Sequence, residues 1–292
     1  LLTASADSLG RVTQYEYDGA ARLVRTVARW RTIDTSALGA SPSAAQLSVA
    51  ADASDRISRN FYDADGLLVG TLDAAGYLVR YRYNGQGQLT GQSAYANASP
   101  SAQRASGTLE LLTPAASAQD QHSRVLRDAM GRVVGQIDAE GYLTLSRYDA
   151  AGRITSSTRY ATRVDASVLA QPDATLELLT PAASAQDQSQ YCSYDALGRM
   201  SSQTDAQGTL TRYGYDSAGR LVSTERAAGT DQARTSATRY DALGRVLAQL
   251  SEQGSAELAK LSAPSSTQIE AIWSQYASTY RYDSAGRVIS SA

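Results

Sequence analysis

Polar and apolar residues alternate along most of the chain in runs of about six. In Thr209-Leu210-Thr211-Arg212-Tyr213-Gly214-Tyr215 one face carries Thr209, Thr211, Tyr213 and Tyr215, and the other carries Leu210 and Arg212. That is the period of two of an extended strand, not the 3.6 of a helix. The runs are broken by Asp-x-x-Gly at even spacing. Asp63, Asp73 and Asn84 lie 10 and 11 residues apart, and so do Asp128, Asp138, Asp149 and Asp195, Asp205, Asp216. Such an interval fits one strand of about six residues and a four-residue turn. The pattern predicts a mainly β chain of antiparallel hairpins added one after another.

Most of these turns carry a longer phrase, Tyr-Asp-x-x-Gly-Arg, and plain Asp-x-x-Gly turns at Asp73, Asp138 and Asp205 lie between copies. The longer phrase is complete at Tyr148, Asp149, Gly152, Arg153; at Tyr194, Asp195, Gly198, Arg199; at Tyr215, Asp216, Gly219, Arg220; at Tyr240, Asp241, Gly244, Arg245; and at Tyr282, Asp283, Gly286, Arg287. Weaker copies stand at Tyr17-Asp18, Tyr62-Asp63, Tyr83-Asn84 and Arg127-Asp128. An aspartate here accepts a backbone N–H two residues on, and glycine takes the left-handed conformation that a hairpin bulge requires. Ala21 stands in place of that glycine in the first copy, where it costs on the order of 1 kcal/mol. Tyr and Arg flank each turn, so cross-strand Tyr–Arg and Tyr–Tyr contacts are expected, at about 0.2–1 kcal/mol per pair.

A longer period overlies the short one. The 14 residues Thr108 to Gln121 recur identically as Thr175 to Gln188, an offset of 67. Whole modules have therefore been duplicated, with approximate limits 1–58, 59–123, 124–190, 191–236 and 237–292 in one continuous array. Between the hairpins lie inserts that read as helical. Ser41-Pro42, Thr113-Pro114 and Thr180-Pro181 each offer an N-cap followed by proline at the first helical position. In the last insert Thr267 and Glu270 have the spacing of a capping box, and Ile269, Ile272, Trp273 and Tyr276 form an apolar stripe. Packing on its own hairpins is the simpler role for this stripe, and a partner-facing groove is the alternative.

Composition changes the picture in two ways. The chain of 292 residues has 18 Tyr and 2 Trp but one Phe. Tyrosine keeps its hydroxyl bonded or wet, so thin layers are expected, not one thick core. Of 27 basic residues all but Lys260 are arginine, the cation suited to stacking and bidentate bonds. The net charge of −2 gives no field to gather nucleic acid. No apolar run reaches the roughly 18 residues of a membrane helix, so membrane insertion by this segment is not expected.

Candidate chemistry is sparse. His122 is the only histidine, and the residue 67 positions on is Ser189, so a catalytic role is not expected. Cys192, beside Tyr191, reads as a small packed side chain, since a thiol nucleophile needs an activating base and the only histidine has no assigned place near it. Asp63-Ala64-Asp65-Gly66 resembles part of a calcium loop but lacks its further carboxylates, and reads as a turn. Glu140, Glu177 and Glu225 have no motif around them. No catalytic, cofactor-binding or metal-binding residue is assigned, and no cofactor is expected.

The reiterated Tyr-Asp-x-x-Gly-Arg phrase with its intervening Asp-x-x-Gly resembles the YD repeat of bacterial Rhs and polymorphic-toxin proteins, of insecticidal toxin complex shell components and of teneurins. The resemblance implies a curved, spiralling sheet, part of a hollow shell or tube, that encloses an unfolded or toxic C-terminal segment. It implies a non-catalytic structural part of a secreted or cell-surface bacterial protein, its neighbours being further repeats of the same chain. The alternative function is an adhesin or scaffold that binds a cell-surface glycan or protein. Releasing members of the family carry an autoproteolytic Asp-Pro site, and this sequence contains no Asp-Pro.

Overall fold

A computed structural model describes residues 1–36, 38–39, 42–171 and 173–291. The chain forms two compact units, one of residues 1–144 and 162–183, the other of residues 145–161 and 184–292. In the first unit the strands are β1 (Ala4–Ala6), β2 (Arg11–Tyr17), β3 (Leu23–Thr32), β4 (Arg56–Tyr62), β5 (Leu68–Leu72), β6 (Leu78–Tyr83), β7 (Leu89–Ala94), β8 (Gln121–Arg127) and β9 (Val133–Ile137). Strands β10 (Tyr142–Tyr148) and β11 (Ile154–Arg163) each divide between the units. The second unit continues with β12 (Gln188–Tyr194), β13 (Met200–Thr204), β14 (Leu210–Tyr215), β15 (Leu221–Arg226), β16 (Arg234–Tyr240), β17 (Val246–Leu250), β18 (Ala277–Tyr282) and β19 (Val288–Ser291).

Within each unit every strand pairs antiparallel with its successor, from β1 to β9 and from β11 to β19. The fold is therefore the meander of hairpins that the ten- and eleven-residue spacing predicts. The register shifts by one residue just before the turn tyrosine, between Phe61 and Tyr62, Ser193 and Tyr194, Gly214 and Tyr215, and Arg239 and Tyr240. The shift accompanies the left-handed glycine of the turn, with φ of +84° at Gly66 and +83° at Gly198. Ala21 takes the same conformation at φ +64°.

Helices are short and sit in the inserts: α1 (Leu109–Leu112) and α2 (Ala166–Leu169) in the first unit, α3 (Glu252–Ala259) and α4 (Ser266–Tyr276) in the second. Their starts differ from the sequence reading. The helix near Thr113-Pro114 precedes the proline, with Thr108 as its N-cap and Thr113 as its C-cap. Burial decides the frame, because Leu109 and Leu112 both drop onto the strands. The identical residues of the second copy form only a turn over 176–179, with Leu178 N–H donating to Thr175 Oγ1 at 3.4 Å. Ser41 lies outside the described residues. The cap nearest it is Ser43, whose Oγ accepts from Gln46 N–H while its own N–H donates to Gln46 Oε1. In the last insert the capping box is Ser265 with Gln268, two residues before the Thr267–Glu270 pair. Gln268 returns to the Ser265 N–H at 2.8 Å, while Glu270 is drawn to Arg239 at 2.9 Å.

Apolar burial is local. Leu72 and Leu78 meet Leu109 and Leu112 of α1, with Phe61, Val69 and Tyr95 at the margin. In the second unit Ala248, Leu250 and Trp273 form a cluster against which Ile269, Ile272, Tyr276 and Leu258 pack. Burying one leucine in such a patch contributes about 1.5–3 kcal/mol. Each patch lies between a hairpin and its insert.

Candidate functional site

The candidate site is the repeating turn, and each of its side chains has a partner of fixed type. At Asp195, Oδ1 accepts the N–H groups of Leu197 and Arg199, both at 2.9 Å, and Oδ2 accepts Arg199 Nε at 2.7 Å. Asp149 binds Ala151, Arg153 and the Arg153 guanidinium in the same way. Asp216 binds Arg220, Asp241 binds Leu243 and Arg245, and Asp283 binds Ala285 and Arg287 on the same pattern. The backbone N–H of the arginine, opposed by burial and helped by its guanidinium, holds Asp149, Asp195, Asp216 and Asp241 below the usual carboxylate range. Gly152, Gly219, Gly244 and Gly286 all have positive φ, as the turn requires.

The arginine has a second task that sequence order conceals. Its guanidinium lies over the tyrosine of the next such turn, not over the tyrosine of its own. Arg153 covers Tyr194 at 4.5 Å, Arg199 covers Tyr215 at 4.5 Å, Arg220 covers Tyr240 at 4.8 Å and Arg245 covers Tyr282 at 4.4 Å. In the first unit Arg22 covers Tyr62 at 4.6 Å. The covered tyrosine then donates its hydroxyl back to the carbonyl that follows the arginine: Tyr194 to Ile154, Tyr215 to Met200, Tyr240 to Leu221 and Tyr282 to Val246, at 2.8–2.9 Å. Arg199 and Arg220 also donate to the backbone carbonyls of Asp216 and Asp241. One turn is thus fastened to the next by a stacked cation, a hydroxyl bond and a carboxylate that fixes the guanidinium.

The remaining candidates have ordinary surroundings. His122 on β8 faces Ser93 across the ladder, Nδ1 to Oγ at 2.9 Å, and burial pushes its pKa down. Ser189 meets Thr158 hydroxyl to hydroxyl at 2.9 Å. Cys192 lies half-buried on β12 opposite Gln203. Asp63 closes its own turn, accepting Leu67 N–H at 2.8 Å, and Glu225 lies 3.5 Å from Arg212. Among the described residues no group of three or more His, Cys, Asp or Glu side chains is placed to hold a metal. No described helix is long and apolar enough to cross a membrane. The stripe of Ile269, Ile272, Trp273 and Tyr276 lies on β17 through Ala248 and Leu250, and Arg239 covers the Trp273 ring at 4.0 Å.

Sequence reading missed the residues that seat the inserts. Arg59 Nη1 donates to Gly107 O at 2.6 Å, and buried Arg124 donates to the carbonyls of Leu169 and Gln171. Each stands three residues before a turn's first position, Tyr62 or Arg127. A Cβ on Gly70 would lie 2.6 Å from Leu109 Cδ1, and one on Gly135 would lie 2.9 Å from Leu126 and Leu176. The recurrence of arginine and glycine at these two places was the available signal.

Three segments, 62–99, 127–164 and 194–231, match the RHS Repeat family model, and each begins at the first position of a turn phrase. A search of curated proteins finds no match. Among solved structures the chain is similar to TcdB2-TccC3 without its hypervariable C-terminal region, at 17% identity and a TM-score of 0.50, over 99% of this chain and 12% of that one. It also resembles the Photorhabdus luminescens Tc holotoxin pore carrying a TccC3 mutation, at 17% identity and a TM-score of 0.48, over 99% of this chain and 13% of that one. The chain thus spans about an eighth of the solved chains it matches. Turn phrase and matched segments agree, so the chain carries RHS repeats over 62–99, 127–164 and 194–231, within a hairpin fold like that of the solved structure it matches.

Proposed function

We propose that this chain is a length of non-catalytic β wall in a secreted or surface-exposed bacterial Rhs-type protein, and that the wall encloses a toxin or other cargo before delivery. The observation that carries this reading is the use of the repeated Asp, Arg and Tyr. In the described relays their polar atoms and ring faces are committed to joining one turn to the next. Side chains so occupied build a surface and do not process a substrate. The wall's partners on this reading are neighbouring repeats and the enclosed segment.

The test is electron cryomicroscopy of the intact protein combined with limited proteolysis. The expected result is a hollow shell with these residues in its wall and a protease-protected segment inside. An array solvated on both faces, with specific binding on a glycan array, would replace this reading by that of an adhesin.

A further inference from the structure

Between β2, β3, β4 and the insert that carries α1, the first unit holds an open cavity of about 690 Å³. Arg25 and Arg59, directly opposite each other on β3 and β4, both line it. Two guanidiniums side by side repel, and each normally has an acid beside it. Arg25 has Glu16 at 2.6 Å, yet its Nε is buried with no hydrogen-bond partner. Arg59 has no carboxylate within ion-pairing distance among the described residues. It is held by the Gly107 carbonyl and by the Phe61 ring at 4.6 Å. Burial, and then the like charge of Arg25, weaken the hold of Arg59 on its proton. Arg22, a third cation on the wall, is already bound to Asp18.

We propose that this cavity is a binding site for a single carboxylate group, taken by the fork of Arg59 with Arg25 beside it. A carboxylate matches the planar guanidinium and supplies the missing acid. The wall also contains Glu16, Asp18 and Glu110. These acids disfavour ligands with several negative charges, so a monoanion such as a sugar acid fits and a polyphosphate does not. The site borders the relay pair Arg22 and Tyr62 but uses Arg25 and Arg59, and its existence does not depend on the wall function.

Phe61 is the only phenylalanine, so incorporation of 4-fluorophenylalanine gives one fluorine resonance beside Arg59. The protein is titrated with glucuronate, acetate and glucose at constant ionic strength. Glucuronate is expected to shift the resonance saturably, and glucose is not. A matching response to acetate assigns recognition to the carboxylate alone, while its absence assigns it to the sugar acid. Arg59→Gln should abolish the shift, and Arg25→Gln should weaken binding by about tenfold or more. If Arg59→Gln loses the sharp native resonance, Arg25→Gln carries the test alone. No saturable shift with either anion, an equal shift with glucose, or undiminished binding in the folded variants would overturn the proposal.

Discussion

The repeat at 56–94 in the first unit and the repeat at 188–226 in the second share one turn chemistry and differ in what covers their strands. The first is followed by an insert, and α1 buries Leu72 and Leu78 beneath Leu109 and Leu112. The second is followed by only seven residues, 227–233, before β16. At matching places, counted from the strand that follows the turn, Gly70 gives way to Ser202, Leu72 to Thr204, and Leu78 to Leu210, and all three replacements are half-buried. Arg59, which seats the insert, gives way to Tyr191, 54% exposed. Yet Arg22 covers Tyr62 much as Arg199 covers Tyr215, at 4.6 and 4.5 Å. Turns hold the array together, and the strand faces adjust to the presence or absence of a cover.

The largest expected difference comes from leucine removal. Leu112→Ala empties a fully buried site and should cost about 2–5 kcal/mol, whereas Leu210→Ala should cost about 1 kcal/mol. Urea unfolding of the two variants measures this, and equal losses would break the distinction between covered and bare repeats. Next in size is the glycine. Gly70→Ala drives a methyl against Leu109 and should cost about 1–3 kcal/mol. Ser202→Ala should change stability by no more than about 0.5 kcal/mol, and thermal melts of both variants provide the comparison.

Acid should act alike on the Asp18 turn, beside the covered repeat, and on the Asp195 and Asp216 turns of the bare one. Asp18 beside the covered repeat, and Asp195 and Asp216 in the bare one, are held below the usual carboxylate range, in each case first by the backbone N–H of the turn arginine. A depressed folded pKa contributes stability that is fully present above the unfolded value near 4 and is lost as pH falls through the folded value. Hydrogen exchange at the amides of the Asp18, Asp195 and Asp216 turns should therefore rise below about pH 4. A rise at the Asp18 turn alone, or at the other two alone, would show that these turns are not equivalent.

The strands, their order and the turn geometry were legible in the sequence, because period-two alternation and Asp-x-x-Gly are local signals. The partner of each turn arginine was not. Arg153 and Tyr194, or Arg245 and Tyr282, are brought together by pairing across an insert, and no local rule reports that. Helix starts were displaced for a related reason. Thr113-Pro114 is a good local cap, but Leu109 and Leu112 gain more by resting on Leu72 and Leu78. The identical residues near Thr180 form only a turn, so surroundings decide between two outcomes of one sequence. Arg25 and Arg59 had no motif, and register alone places them opposite each other.

Fastening of one Tyr-Asp-x-x-Gly-Arg turn to the next through arginine and tyrosine is measured by a double-mutant cycle on Arg199 and Tyr215. Arg199→Lys keeps the charge near Asp195 but loses the planar face, and Tyr215→Leu removes the ring and hydroxyl. The expected coupling between the two changes is about 0.5–1 kcal/mol. Additive effects, with a coupling below about 0.3 kcal/mol, would contradict the relay.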